Sequence, residues 1–210
     1  MTIDGFSPEP DRLRAAALET PFETARNHYP GIRAALPDHY LEVQLPIITT
    51  VLRDVFGRYG RIEVADASFS IVTTPRGALS LQQRLPHCDA FQPEWIALVH
   101  YLSPDGGDGT AFYRHRSTGF ETINEERRSS YFERLNEELG QGLPNTGYIA
   151  EDTALFEQVA VADACYNRAI LYPSFLLHSG AISPDAALVP KPEAGRLTVT
   201  GFFSVQSRYV

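Results

Sequence analysis

Thiols are scarce in this 210-residue chain: Cys88 and Cys165 are the only two, far apart and without a Cys-x-x-Cys spacing. That excludes a disulfide framework and a thiolate zinc site, and it fits a reducing cytoplasm. Long apolar runs are also missing. The longest near the end, "AILYPSFLL", is broken by Pro173 and falls well short of the roughly 20 residues a membrane helix needs. The N-terminal "MTIDGFSPEPDRLR" carries acids where a signal peptide would carry a basic cap, so export is not expected and a soluble, cytoplasmic protein with no membrane partner is. Positive charge is in deficit, with 18 Lys and Arg against 26 Asp and Glu. A net charge of -8 repels phosphate backbones, so no nucleic-acid partner is expected. The one basic cluster, "EERRSS" at 125–130, alternates with acids and reads as a solvated helix face. There is no internal repeat, low-complexity tract or long linker.

What is present is a 43% apolar and 11% aromatic composition, enough for one sizeable core without staples. A single domain spanning 1–210 is expected: helical support over about 1–60, a β core over about 61–205, and a helical insertion near 124–140. Residues 10–19, "PDRLRAAALE", are rich in helix formers, and 42–56 place Leu45, Ile48, Leu52 and Val55 at spacings of three and four. From 61 the period changes to two in "RIEVADASFSIVTT", the signature of a half-buried strand. Further strands are expected at 94–102, 109–114, 166–172, 175–181 and 196–205. "SPDGGDG" between the strands at 94–102 and 109–114 reads as a tight hairpin connection. Asn124 caps an expected helix that ends at Gly140, with Tyr131, Leu135 and Leu139 spaced by four. Many short strands without regular intervening helices disfavour a doubly wound parallel sheet and favour a mainly β fold with flanking helices, a jelly roll or double-stranded β-helix.

Within "RLPHCDAFQPEWIALVHYLSPDGGDGTAFYRH" (84–115), His87 and Asp89 stand two apart. On a strand that spacing turns both to one face and Cys88 to the other. An imidazole and a carboxylate suit borderline metals, and His178, inside the apolar "YPSFLLHSGAI", is the candidate third ligand because a buried imidazole needs a partner. Two histidines and a carboxylate make a facial triad with coordination positions left open. The plain alternative, a strand-end pair and a hydrogen-bonded core histidine, stays open from these residues alone.

More residues join them in order: "VHYLS" at 99–103, "GGDGTAFY" at 106–113, His178, and "GRLTVTGFF" at 195–203. In this order the sequence resembles the 2-oxoglutarate and Fe(II)-dependent dioxygenases, in particular their prolyl-hydroxylase-like branch, over roughly residues 67–205. The resemblance implies that His87, Asp89 and His178 bind iron, that Arg196 pairs with the distal carboxylate of 2-oxoglutarate, and that Tyr101 and Thr198 assist. It implies oxidation of a small-molecule or peptide substrate, with ascorbate as a supporting reductant, and Asp89 favours hydroxylation over halogenation. A guanidinium fork suits a dianionic cosubstrate. The interval from His178 to Arg196 is long for the family and holds Lys191 between two prolines, which is the alternative anchor. The plain alternatives for Thr198 and Tyr101 are a strand threonine and a buried aromatic. His100 should face away from Tyr101 and be structural, Cys88 should pack, Trp95 should be core, and Arg114, His115 and Arg116 read as a solvated basic rim. Two rival readings use the same residues: a cupin-like metal enzyme that does not use 2-oxoglutarate, and a non-catalytic metal- or ligand-binding barrel.

Overall fold

The architecture comes from a computed structural model that describes residues 1–26, 28–142 and 147–206. The expected span of 1–210 therefore includes residues 27, 143–146 and 207–210, which lie outside the described residues. In chain order the elements are β1 (Thr2–Ile3), α1 (Pro10–Glu19), β2 (Glu23–Thr24), β3 (Gly31–Ala35), α2 (His39–Asp54), β4 (Arg61–Val72), β5 (Trp95–Tyr101), β6 (Thr110–His115), α3 (Glu125–Leu139), β7 (Phe156–Ala162), β8 (Arg168–Pro173), β9 (His178–Gly180) and β10 (Leu197–Gln206).

The helices form where the sequence supplies both start signals and a stripe. Pro10 opens α1, where a missing N–H costs nothing, and Leu13 and Ala17, four apart, are its buried residues. In α3 the Asn124 side chain accepts from the Arg127 N–H at 3.0 Å, and Tyr131 and Leu135 bury the inner face. The strands assemble into two antiparallel sheets. One has seven strands in the order β1-β8-β5-β10-β4-β3-β2, and the other has three, β7-β6-β9. The chain moves between them: β4 and β5 lie in the large sheet, β6 and β7 in the small one, β8 in the large, β9 in the small and β10 in the large. "SPDGGDG" is therefore not a hairpin turn. It carries the chain from one sheet to the other, and Gly106 and Gly107, at φ 72° and 116°, supply the left-handed backbone that crossing needs.

The sheets face each other across aromatic contacts such as Phe112 of β6 edge-on to Tyr172 of β8, with centroids 5.1 Å apart. Outside the large sheet, α2 lays Ile48, Val51 and Leu52 on Ile96, Leu98, Leu171 and Phe203, while α1 adds Leu13 and Ala17 against Phe69, Ile71 and Val199. Outside the small sheet, α3 packs Tyr131 and Leu135 on Ala111, Tyr113, Phe156 and Leu177. With both outer faces covered by helices, the space between the sheets is left for a site. Four strands escape the period-two signal: β7 and, within the 1–60 span expected to be helical support, β1, β2 and β3, of which β1 and β2 are too short at two residues each to show a period. β3 is a five-residue "GIRAA", and in β7 "FEQVAVA" the edge position leaves Val159 and Val161 exposed, so the apolar face is not the core face. No helix among the described residues is long and apolar enough to cross a membrane.

Candidate active site

His87 is not in a regular strand. It sits opposite His178 in an isolated antiparallel bridge, the two backbones exchanging N–H···O bonds of 2.9 Å each way, and this register rather than the two-residue spacing alone brings the rings together, 4.5 Å between centroids. Asp89 is fixed by its own N–H, which donates to the Ser174 carbonyl at 2.8 Å. Its carboxylate lies between the two imidazoles, 3.6 Å from His87 Nε2 and 3.4 Å from His178 Nε2. One donor atom from each of the three residues falls within 4.8 Å of the others.

The two histidine–carboxylate separations exceed good hydrogen bonds and approach what cis donors around one ion require, about 3 Å when each is about 2.1 Å from the metal. The tautomer also fits. His178 Nδ1 donates to the Leu176 carbonyl at 2.9 Å, so in the neutral ring the lone pair is on Nε2, the nitrogen facing Asp89. The His87 side chain keeps about half its surface exposed (51%), and partial desolvation together with the neighbouring His178 holds its imidazole below the ordinary value, with Asp89 and a backbone hydrogen bond at Leu85 opposing. A neutral imidazole is the metal-binding form. His87, Asp89 and His178 could thus hold a divalent ion of the iron or zinc type. Cys88 packs with Leu85, Tyr131 and Leu177 on the α3 side and also borders the cavity, and burial pushes its thiol up to about 12.

The three residues border a cavity of about 720 Å³ that runs from between the sheets, past residues 81–90, to α3. Arg196 lines it too. Its Nε donates to the Asp108 carbonyl at 2.6 Å and a terminal nitrogen to the Gly109 carbonyl at 3.0 Å, and the guanidinium lies 5.6 Å from the Tyr101 ring centre. Carbonyls position the group without neutralising it, and no carboxylate among the described residues pairs with it. Tyr101 lies behind this arginine, its hydroxyl 2.8 Å from that of Thr110, which does face the cavity. Burial raises the Tyr101 phenol, with Arg196 opposing, so it stays protonated at neutral pH. Thr198 is buried directly across from Tyr101 and donates to the Ser70 carbonyl at 3.3 Å. Lys191 is exposed and does not border the cavity.

A second cavity arginine is absent from the sequence reading. Arg33 on β3 reaches across the sheet to Ser70 at 3.3 Å and Thr200 at 3.0 Å and pairs with Asp66 at 2.7 Å. Only an alternation of Ile32 and Arg33 in a five-residue strand could have signalled it. Trp95, expected in the core, is half-buried and lines the cavity, because as the first residue of β5 it stands at the sheet's rim. His115, expected on a solvated rim, is fully buried between Glu138 at 2.8 Å and Thr118 at 2.9 Å, where it ties the last turn of α3 to β6. Arg114 is neutralised by Glu121 and Glu157, and Arg116 by Asp152. His100 is structural as expected: Tyr40 and Asn167 hold its two nitrogens at 3.3 and 3.0 Å on the face away from Tyr101.

The fold is similar to that of HygX from Streptomyces hygroscopicus, solved with nickel and 2-oxoglutarate bound, at a TM-score of 0.51, 12% identity, and coverage of 98% of this chain and 82% of that one. Weaker likenesses are to SnoN, a non-heme alpha-ketoglutarate-dependent epimerase from nogalamycin biosynthesis (TM-score 0.48, 8% identity, 98% and 78% covered), and to the Kdo hydroxylase KdoO, a non-heme Fe(II) alpha-ketoglutarate-dependent dioxygenase (TM-score 0.42, 12% identity, 95% and 75% covered). At such identities the likeness is one of fold, and only the HygX score bears on it. No curated protein matches the sequence. The chain belongs to the family of unknown function DUF6445, which it matches over residues 1–203.

Proposed function

We propose that the protein is an Fe(II)- and 2-oxoglutarate-dependent oxygenase, a single jelly-roll domain that hydroxylates a small-molecule or peptide substrate in the cytoplasm, related in kind to the prolyl-hydroxylase-like branch. The observation that carries the reading is a pairing within one cavity: a His-Asp-His cluster with donor atoms inside 4.8 Å, and an arginine, Arg196, with no acidic partner. The alternation of strands between two sheets supports the jelly-roll description, since it is the path a double-wound antiparallel barrel takes.

In this reading His87, Asp89 and His178 hold the ion, and Arg196 receives the distal carboxylate of 2-oxoglutarate with Tyr101 and Thr198 as supports behind it. A ferrous ion together with 2-oxoglutarate supplies C–H oxidation coupled to decarboxylation of the cosubstrate. The chain's own contribution is placement. The Leu176 carbonyl orients His178, the Ser174 carbonyl orients Asp89, and the Asp108 and Gly109 carbonyls aim Arg196. Apolar walls from Val99, Tyr172 and Phe202 keep water from competing for the reacting centre. The missing acidic partner of Arg196 favours this reading over a cupin-like enzyme, which would have no use for an anion anchor there.

The test is aerobic incubation with Fe(II), 2-oxoglutarate and ascorbate, with succinate measured alone and across a substrate panel. Succinate should form in the wild type and disappear in His87→Ala, Asp89→Ala and His178→Ala. Absence of succinate from the wild type across the whole panel, or its undiminished formation in all three variants, would refute the reading.

A further inference from the structure

We propose that the substrate of this site is an uncharged small molecule with an apolar or aromatic body, an inference that rests on the oxygenase reading and narrows it. Among the described residues bordering the cavity, those able to carry charge are His28, Arg33, His87, Asp89, His178 and Arg196. His28 is exposed at the rim, and Arg33 is already neutralised by Asp66 at 2.7 Å. A divalent ion on two neutral imidazoles and one carboxylate keeps one positive charge, and Arg196 adds a second. A dianionic keto acid cancels both. The loaded cavity therefore offers no counter-ion to a charged substrate, and burying an unpaired charge is strongly unfavourable.

What remains to recognise a substrate is uncharged and largely apolar, with the hydroxyls of Thr110, Ser174, Ser179 and Thr200 among its polar exceptions. The wall made by residues 81–85 and α3 presents Leu81, Leu85, Phe132, Leu135 and Leu139, and its polar members Gln82, Gln83 and Asn136 are uncharged. The apolar character continues toward solvent, where Leu81 and Phe132 are each 38% exposed. A volume of about 720 Å³ holds a keto acid with room for a further small molecule, within the usual range of about 300–1,000 Å³ for such sites.

Trp95 is the only tryptophan and lines the cavity, so its emission reports occupancy directly. Protein is first titrated calorimetrically with Ni(II) and then 2-oxoglutarate, and the loaded protein is then titrated with three matched probes: 4-butylbenzyl alcohol, 4-butylbenzoate and 4-butylbenzylammonium. The alcohol should quench or shift Trp95 emission and bind at least tenfold more tightly than either ion. Leu81→Asp and Phe132→Asp, at partly exposed positions, should each weaken the alcohol at least fivefold and leave 2-oxoglutarate affinity unchanged. Either ion binding as tightly as the alcohol, no binding of the alcohol to loaded protein, or no effect in both variants would overturn the inference. Failure of Ni(II) and 2-oxoglutarate to bind would instead overturn the oxygenase reading, and would be seen in the first titration.

Discussion

Arg196→Ala should raise the dissociation constant for 2-oxoglutarate by ten- to a hundredfold. The guanidinium is held by two carbonyl acceptors at 2.6 and 3.0 Å and by the Tyr101 ring, so its direction is set before any ligand arrives while its charge is left uncompensated. One charged hydrogen-bonded contact to a carboxylate is worth about 1.5–3 kcal/mol, and about 1.4 kcal/mol is a factor of ten, which gives that range. A competing effect is loss of fold stability through the two carbonyl bonds, about 1–2 kcal/mol, and it is separable because unfolding is read without ligand. Calorimetry on Ni(II)-loaded protein reads the affinity, and thermal unfolding of the same samples reads the stability. Arg196→Lys, which keeps the charge but loses the fork, should recover part of the affinity. Lys191→Ala should change it less than twofold, since that side chain is exposed and borders no part of the cavity. If affinity survives in Arg196→Ala and collapses in Lys191→Ala, the cosubstrate lies in the loop after His178 and the roles assigned to β10 are wrong.

Gly109→Ala should cost about 1–3 kcal/mol and lower the melting temperature by several degrees, because an added Cβ would lie 2.1 Å from the Ala162 carbonyl oxygen across the start of β6; it should also weaken 2-oxoglutarate, since the Gly109 carbonyl holds Arg196. Phe203→Ala, on the α2 side of the large sheet, should cost about 3–5 kcal/mol in urea unfolding yet leave metal affinity intact. His100, buried by Phe6 and Tyr40, has an imidazole pushed down to about 4, below the ordinary value of about 6.5. As pH falls the unfolded chain takes this proton first, so the stabilisation is complete above about pH 6.5 and is lost toward pH 4. By pH 5 the loss should reach about 2 kcal/mol. Urea midpoints should show wild type losing that much more than His100→Gln between pH 7 and pH 5; equal losses would refute the assignment.

Sequence periodicity located most of the core elements to within a few residues. The run read as strand at 196–205 is β10 at Leu197–Gln206, and the helix expected at 10–19 is α1 over the same residues. These segments have a single dominant pattern and clear punctuation. Sheet membership was not legible, because a glycine-rich connection has the same composition whether it closes a hairpin or crosses between sheets. β7 went unseen for a different reason: its valines face outward on an edge. At the site, the order of His87, Asp89, His178 and Arg196 was readable, whereas the opposed backbone bridge that joins His87 to His178 depends on a pairing 91 positions apart that no local pattern encodes. Burial of His115 depends on Glu138 arriving from another element, and the basic flanks of that histidine pointed the wrong way.

In the proposed site one cavity binds a ferrous ion and 2-oxoglutarate together. Anaerobic titration of the metal-free protein with Fe(II) and then 2-oxoglutarate tests it directly, because a keto acid chelating a protein-held ferrous ion gives a visible charge-transfer band. The expected band saturates at one iron and one 2-oxoglutarate per chain, is absent in His178→Ala, and needs a much higher 2-oxoglutarate concentration in Arg196→Ala. A wild-type protein that binds iron with no band at any 2-oxoglutarate concentration, or a band that persists undiminished in His178→Ala, would contradict it.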